Sequence, residues 1–484
     1  MGKCVRSQVG VRVNLHRLVR ASLSPIPGTA AVLSFALLTI ILTPRPARAN
    51  PAFARKYGMP CSGCHVAWPL LNNFGQVFRD NGYQMMNDRD APIWRDNSYW
   101  PVAMYGIPEW HRESSSNQPV DSVPGNGGSP TTGKRLSPTG FDGSILAWWM
   151  SGTLNKDISF LVLPIIGDGV PIGFESLWVR FDNLLGSSWL NVKVGKHELD
   201  LPVSEKRSLS FSNYGGLYNV YHFFPPNSNP AMISALQGLN SNQLGVEILG
   251  HSANSYTRYS FSVMSSNAGS FNLPQGNSYD VYGHFQQAWN VGHDLGYMKA
   301  SAFAYVGQWP TYFQSLGGTA IAGTGTGNKG WTESGAALLW FTPKWVWDNV
   351  FVHGTENAYL AGNLPSNLPL PVGYKNASWN GGFTEGNYLY TPQLAFIGRY
   401  EAIRMSQQGN PLNPSNMGNL DALTFGIRWY PFMTTRLGFA INPEYSVVRS
   451  RGITDNLFAG SWSPSFNNAD VKSSSIFLGF NFEY

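Results

Sequence analysis

From about residue 99 onward, apolar residues recur at every second position in runs of strand length. Leu244, Val246 and Ile248 alternate with Gly245 and Glu247, and the same pattern occurs at 190–195, 423–430 and 436–442. Successive side chains on a strand point to opposite faces, so each run has one apolar and one polar face. Runs of about ten residues with this alternation are typical of the strands of a transmembrane β-barrel.

The last run gives the clearest strand pattern. Ile476, Leu478, Phe480, Phe482 and Tyr484 share one face, which resembles the C-terminal assembly signal of bacterial outer-membrane barrels. We count roughly 14 to 18 candidate strands and predict about 16, since such barrels use even numbers.

The composition favours the same fold class. Charged residues make up 13% of the chain and aromatic residues 14%, and that charge content is about half the usual share. After the N-terminal leader, no run of about 18 apolar residues exists, which excludes a helical membrane protein. A propeller would show a repeat of about 40 residues, and a soluble sandwich would carry more surface charge. No basic patch indicates nucleic acid as a partner. We therefore predict an all-β fold, a transmembrane antiparallel β-barrel with a small N-terminal α-helical module.

The first residues are predicted to form an export signal. A basic region is followed by an apolar stretch at 29–42 and by Ala47-Arg48-Ala49, a small-residue cleavage site. The alternative, a membrane anchor, would need about 20 apolar residues. We predict a signal peptide at 1–49, a haem module at 50–96 and an outer-membrane barrel at 97–484.

The segment Cys61-Ser62-Gly63-Cys64-His65 has the spacing of a c-type haem attachment site. Each thiol can bind one vinyl group, and the histidine can bind the iron as the proximal ligand. A structural zinc site needs four ligands, and the only other cysteine, Cys4, lies in the leader. A thioredoxin-like pair would need an α/β context, and a disulfide would leave His65 unexplained. We predict one covalently bound haem c.

Several residues are candidates for the sixth iron ligand. Met85 and Met86 follow the haem module's predicted helix and are the candidates for a thioether ligand, with ordinary core packing as the alternative. Met59, Met104 and His111 are weaker candidates, and an open sixth position is a further alternative.

The haem module is predicted to contain one helix, which begins at Pro69 and ends at Asn81-Gly82. An apolar haem pocket is predicted from Trp68, Phe74, Phe78 and Tyr83. The charged segments 196–200 and 205–207 could bind haem propionates or a cation, although we favour a solvated loop.

Several boundaries in the barrel region are also predicted. We favour 98–112 as the first strand and 113–140 as an outer loop. The alternative assigns 98–112 to the haem module and 113–140 to a linker. Glycine, serine and asparagine predict loops at 317–330 and 361–386. Lys193, Glu247, Arg428 and Arg436 are predicted to face the lumen.

The residues around the haem motif resemble the fused monohaem cytochrome–porin family, which includes outer-membrane iron oxidases. The resemblance rests on residues 53–60 (FARKYGMP), Trp68-Pro69-x-Leu71, Phe74-Gly75, Phe78-Arg79 and Gly82-Tyr83, about 35 residues in all. It implies Cys61 and Cys64 as thioether sites, His65 as proximal ligand, and a haem plug in the barrel lumen. It also implies electron transfer from an extracellular donor, with Fe(II) expected, to a periplasmic soluble cytochrome or other carrier. The alternatives are a haem-bearing porin or binding barrel without redox turnover, and a soluble periplasmic haem protein.

Overall fold

The computed structural model describes residues 51–483 with gaps. The residues outside the description are 1–50, 86–100, 121–130, 167–172, 211–216, 224, 226–238, 240–241, 268, 273–277, 293–294, 311–312, 317–318, 323–327, 357–374, 408–415, 417, 434–436, 452–469 and 484. The predicted signal peptide, Met86 and Arg436 therefore lie outside the described residues.

The chain forms a closed antiparallel barrel after two short N-terminal strands. Those two strands are β1 (His65–Ala67) and β2 (Leu70–Leu71). The strands that follow are β3 (Val102–Val120), β4 (Thr131–Leu136), β5 (Thr139–Asn155), β6 (Ile158–Ile166), β7 (Gly173–Phe181), β8 (Asn191–His197), β9 (Gln243–His251), β10 (Thr257–Ser265), β11 (Tyr279–Gly292), β12 (Gly296–Pro310), β13 (Phe313–Leu316), β14 (Thr319–Ala322), β15 (Asn328–Phe341), β16 (Trp345–Glu356), β17 (Ala377–Thr391), β18 (Leu394–Gln407), β19 (Leu420–Met433), β20 (Gly438–Arg451) and β21 (Asp470–Glu483).

Closure comes from β21, which pairs with β20 on one side and returns to β3 on the other. Strands β4 and β5 both pair with β3 and together occupy one position in the wall. Strands β13 and β14 pair with each other and stand outside the barrel sheet. Within the described part of the chain this makes a 16-strand barrel, which confirms the predicted fold class and strand count.

The alternation in the sequence places apolar side chains outside and polar ones inside. On β9, Val246 and Ile248 are 42% and 38% exposed, whereas Glu247 between them is fully buried in the lumen. Lys193 and Arg428 are also buried inside, as predicted. Exposed aromatic side chains lie on the outer face close to the strand ends, among them Trp289, Trp345, Tyr390 and Phe432. An apolar outer band with aromatic borders is what a lipid environment requires, and the barrel is an outer-membrane barrel.

The connections differ in length at the two ends of the barrel. Turns such as 155–158, 292–296 and 391–394 are short, whereas β20 and β21 are separated by 452–469. Short turns face the periplasm and long loops face outward in such barrels. The N-terminal segment lies at the short-turn end, where Asn73 Nδ2 donates to the Asn254 carbonyl at 3.2 Å in the β9–β10 turn. Among the described residues, no helix is long and apolar enough to cross a membrane.

The N-terminal segment contains three short helices, α1 (Pro51–Tyr57), α2 (Cys61–Cys64) and α3 (Asn73–Asp80). The predicted helix start at Pro69 is wrong, because Leu70 and Leu71 form β2 and pair with β1. Asn72 caps α3, since its side-chain oxygen accepts from the Gly75 amide at 2.8 Å. The predicted end is confirmed, with Gly82 at φ 80°.

Three loop predictions are wrong in their limits. The strand predicted at 98–112 is found as β3 from Val102 onward, with 98–100 outside the described residues. It continues to Val120, so the outer loop is shorter than 113–140. Strand β17 begins at Ala377 inside the predicted loop 361–386, and β14 and the start of β15 lie inside the predicted loop 317–330. On β17, Ser378 and Asn380 alternate with the buried Ala377 and Trp379, so they lie on the outer side near the long-loop rim, where polar residues resemble those of a loop.

Candidate functional site: a cavity beside the CSGCH segment

The CSGCH segment forms one helical turn followed by a strand. The Gly63 amide donates to the Pro60 carbonyl at 2.9 Å, and the His65 amide donates to the Cys61 carbonyl. His65 then begins β1, which a turn at Trp68-Pro69 connects to β2. The turn and the strand together fix the direction of the histidine relative to the two thiols.

Helix α3 packs directly on this turn. The Asn72 amide donates to the Cys64 carbonyl at 3.0 Å, and Asn72 Nδ2 donates to the Gly63 carbonyl at 3.0 Å. A Cβ atom at Gly75 would lie 2.0 Å from the Cys64 carbonyl oxygen, so only glycine permits this approach. The match of Phe74-Gly75 in the sequence motif therefore has a steric basis.

A cavity of about 440 Å³ opens beside Cys64 and His65. From the N-terminal segment, Phe53, Trp68, Phe78 and Tyr83 line it, and Tyr105, Ile107, Trp149 and Leu161 line it from β3, β5 and β6. Phe53 stacks on Tyr83 with ring centroids 5.4 Å apart. Three of the four predicted aromatic pocket residues are thus present, and Phe74 is not among the lining residues. The volume lies in the range of cofactor sites, which are mostly apolar with few polar groups.

The polar groups of the motif are held in their neutral forms. Burial lowers the pKa of His65 to about 4, although the Pro69 and Leu70 backbone acts in the opposite direction. Burial raises the pKa of Cys64 to about 11 and raises that of Cys61 further. The buried Nδ1 of His65 makes no hydrogen bond within the described part of the chain. A neutral imidazole with an unused nitrogen is the form that binds a metal.

The two cysteines occupy different surroundings. Cys64 lines the large cavity, whereas Cys61 is 4% exposed and lines a small cleft with Tyr430 and Met433. Trp68 and Glu483 line both spaces. Both thiols are free, so the disulfide alternative is not formed. Among the described residues, no three His, Cys, Asp or Glu side chains converge on a metal position.

The sixth-ligand candidates lie in different places. Met85 does not line the cavity, and its carbonyl accepts from Asn81 Nδ2 at 3.3 Å. Met104 lines the cavity from β3. Met59 packs against the CSGC turn near Gly63, and His111 lies beside Glu109 on β3. The Met85 or Met86 assignment stays a prediction.

One side of the cavity is charged. Arg79, Lys206 and Arg207 line it together with Glu175 and Glu205. Arg207 binds Glu198 at 2.8 Å and Lys206 binds Glu175. Burial acts to raise the pKa of Glu198, but the charges of Arg207, Lys206 and Arg79 lower it to about 2. The solvated-loop interpretation is therefore wrong for this part of 196–207, because the segment after β8 folds into the lumen.

A buried charge network joins the N-terminal segment to the barrel. Arg258 on β10 binds Asp80 of α3 at 2.8 Å and Asp200 at 2.9 Å. His284 on β11 contacts the second oxygen of Asp200 at 3.1 Å. The arginine holds the pKa of Asp80 below its usual range and that of Asp200 well below, although burial alone would raise both. Nothing in the sequence spacing identified this cluster, because its members are far apart in the chain.

We expect Arg258→Met to loosen the N-terminal segment from the lumen. The change removes the bridge to buried Asp80 and leaves Asp200 with only the longer arginine contact, to Arg79 at 3.8 Å. Breaking a buried pair in this way costs about 3–5 kcal/mol. Hydrogen exchange of the α3 amides should accelerate strongly. Arg404→Met is the matched control, since its bridge to Asp421 is nearly half-exposed and such pairs contribute less than about 1 kcal/mol. Unchanged exchange in α3 would show that Arg258 does not hold the segment.

The barrel is similar to solved outer-membrane proteins. The anion-selective porin from Comamonas acidovorans matches with a TM-score of 0.48 at 10% identity, over 79% of this chain and 99% of that chain. Outer-membrane expressed OmpT of Vibrio cholerae matches with a TM-score of 0.42 at 10% identity, over 79% and 97%. At this identity the likeness concerns the fold alone. No family profile and no curated protein sequence matches the chain.

Proposed function

We propose that this chain carries one covalently bound haem c beside Cys64 and His65 and transfers electrons at the outer membrane. The observation that carries the proposal is the apolar cavity into which Cys64 and His65 open, inside the barrel. The residues at and beside the cavity fit the group: two neutral thiols separated by two residues, with Cys64 in the cavity and Cys61 in the adjoining cleft, a neutral imidazole, and aromatic walls. When bound, a haem supplies reversible one-electron chemistry.

The residues around the cavity have separate roles in this proposal. Cys61 and Cys64 attach the porphyrin, and His65 supplies the proximal nitrogen. The aromatic walls exclude water, which keeps the local dielectric low and affects the reduction potential. Lys206 and Arg207 offer cationic groups for propionates at the charged side.

The proposed electron path runs between the two membrane faces. An extracellular donor, for which we propose Fe(II), loses one electron, and a soluble periplasmic cytochrome or other carrier gains it. The N-terminal segment at the short-turn end supports a periplasmic partner, because it brings the CSGCH segment toward the periplasmic side. In this proposal the chain acts as an iron oxidase.

A haem-bearing barrel without redox turnover is the second candidate, and the closed porin-like fold favours it. The soluble periplasmic alternative is wrong, because the apolar outer face requires lipid.

Reconstitution in vesicles separates the candidates. With a soluble cytochrome enclosed and Fe(II) outside, we expect the wild-type protein to reduce the enclosed acceptor, because the haem would be reachable from both faces. His65→Ala should reduce the rate toward that of protein-free vesicles, since the proximal ligand sets the potential. The measurement is absorbance of the enclosed acceptor.

A membrane-impermeant organic reductant serves as the second donor in this assay. Transfer with that reductant but not with Fe(II) would contradict the iron-oxidase function and retain the conduit. If haem-bearing protein transfers electrons from neither donor to the enclosed acceptor, the haem-bearing barrel without redox turnover is the better explanation.

A further inference from the structure

The outer face of the barrel carries exposed basic side chains at its long-loop end. Arg449 on β20 is the direct cross-strand partner of Lys472 on β21. Both side chains alternate with buried neighbours and therefore point outward, where they are exposed. We call five of the exposed cations at this end the basic row, namely Arg135, Arg404, Arg449, Arg451 and Lys472.

Acidic partners neutralise only part of the basic row. Arg404 binds Asp421 at 2.5 Å, and Arg451 binds Asp470 at 3.6 Å. Asp421 is also the cross-strand neighbour of Arg449, but Arg404 and the Tyr400 hydroxyl engage its carboxylate.

Arg449 and Lys472 themselves form no ion pair within the described ranges of the chain. Like charges directly opposite on a sheet destabilise it. The adjoining connections bring little acid, since 408–419 has none and 452–469 has only Asp455. An external anion between the two cations would remove the repulsion.

The position of the basic row identifies the surroundings of that anion. Along the same outward faces, the next exposed residues toward the short-turn end include Tyr445 at 48%, Ile476 at 44% and Leu423 at 43% exposure. These residues belong to the lipid-facing apolar band. The basic row therefore lies at the level of the lipid headgroups on the extracellular side.

We propose that Arg449 and Lys472 bind the phosphate groups of a phosphorylated glycolipid in the outer leaflet. The guanidinium group offers two parallel donors to phosphate oxygens, and the ammonium adds a compact charge beside it. A lipid-borne phosphate fits better than a free one, because the apolar band next to the cations can contact the acyl chains. This site lies outside the barrel, so it is independent of the haem proposal.

The test uses the full-length protein in phosphatidylcholine vesicles that contain bisphosphorylated lipid A, or the same glycolipid without its phosphates. The readout is the glycolipid that stays with the protein after extraction in non-ionic detergent and size-exclusion chromatography. We expect wild-type protein to retain the phosphorylated form. Arg449→Gln/Lys472→Gln should bind it roughly thirtyfold more weakly, at about 1 kcal/mol for each lost cation.

Lys344→Gln is the matched control, because Lys344 is an exposed lysine at the opposite rim. It should retain as much lipid A as the wild type. Heat-dependent gel mobility checks folding, and the two single variants replace the double variant if that one misfolds. The proposal would be overturned if the Arg449/Lys472 variants retained as much phosphorylated lipid A as the wild type. It would also be overturned if the wild type retained the phosphate-free glycolipid equally well. If millimolar inorganic phosphate displaced the lipid, the site would bind free phosphate, and the assignment of a lipid-borne phosphate would be wrong.

Discussion

The Cys61→Ala/Cys64→Ala variant is expected to contain no covalently bound haem. Both possible thioether positions are lost, and within the described chain no other cysteine remains to replace them. Haem staining on a denaturing gel measures the effect, which should be a complete loss from a protein that still folds as a barrel. The barrel should persist, because Cys61 and Cys64 lie in the N-terminal segment and not in the closed sheet.

The single variants and a neighbour sharpen this test. Cys64→Ala should reduce attachment more than Cys61→Ala, because Cys64 lines the large cavity and Cys61 lines the small cleft. Ser62→Ala is the matched control, since this side chain is exposed between the two thiols. Covalent haem in the double variant would contradict the cofactor assignment altogether.

The barrel could be predicted from the sequence because its physical constraint is local. A strand between lipid and a polar lumen must alternate along its length, and runs such as Val246-Glu247-Ile248 show that alternation directly. Strand ends were harder to place. The serines at 114–116 and the Ser378 to Gly382 stretch have loop-like composition, yet each lies in a strand. Their polar character comes from the lumen and the rim, which composition alone cannot distinguish from a loop.

The candidate site also has a part that the sequence predicts and a part that it does not. Cys61, Cys64 and His65 lie within five consecutive residues, and the structure places Cys64 and His65 at a cavity of about 440 Å³. The charges that hold the segment come from distant positions, as in the contact between Asp80 and Arg258. Such contacts form between side chains that point into the lumen at the same height along the barrel axis. To predict them, one must know the register of every strand between the two positions.

Removal of residues 480–484 is expected to prevent folding of the barrel. These residues pair Phe480 with Ile441 on β20 and Phe482 with Gly106 on β3, so they complete closure at the short-turn end. An unclosed barrel leaves two strand edges whose backbone groups have no partner in lipid, each at a cost of several kcal/mol. Outer-membrane fractionation and a heat-dependent mobility shift should both be lost.

A substitution at one glycine tests closure without removing a strand. A Cβ atom at Gly106 would lie 2.5 Å from the Phe482 ring, which covers this glycine across the β3–β21 seam. Gly106→Val should therefore force the ring away and destabilise the seam by about 1–3 kcal/mol, seen as less protein with folded mobility. Gly283→Val is the matched control, because a Cβ atom there meets nothing within 4 Å. Adding Phe482→Ala to Gly106→Val should restore folding by removing the clash. If Gly106→Val folds as well as Gly283→Val, the Phe482 ring does not close the barrel over Gly106.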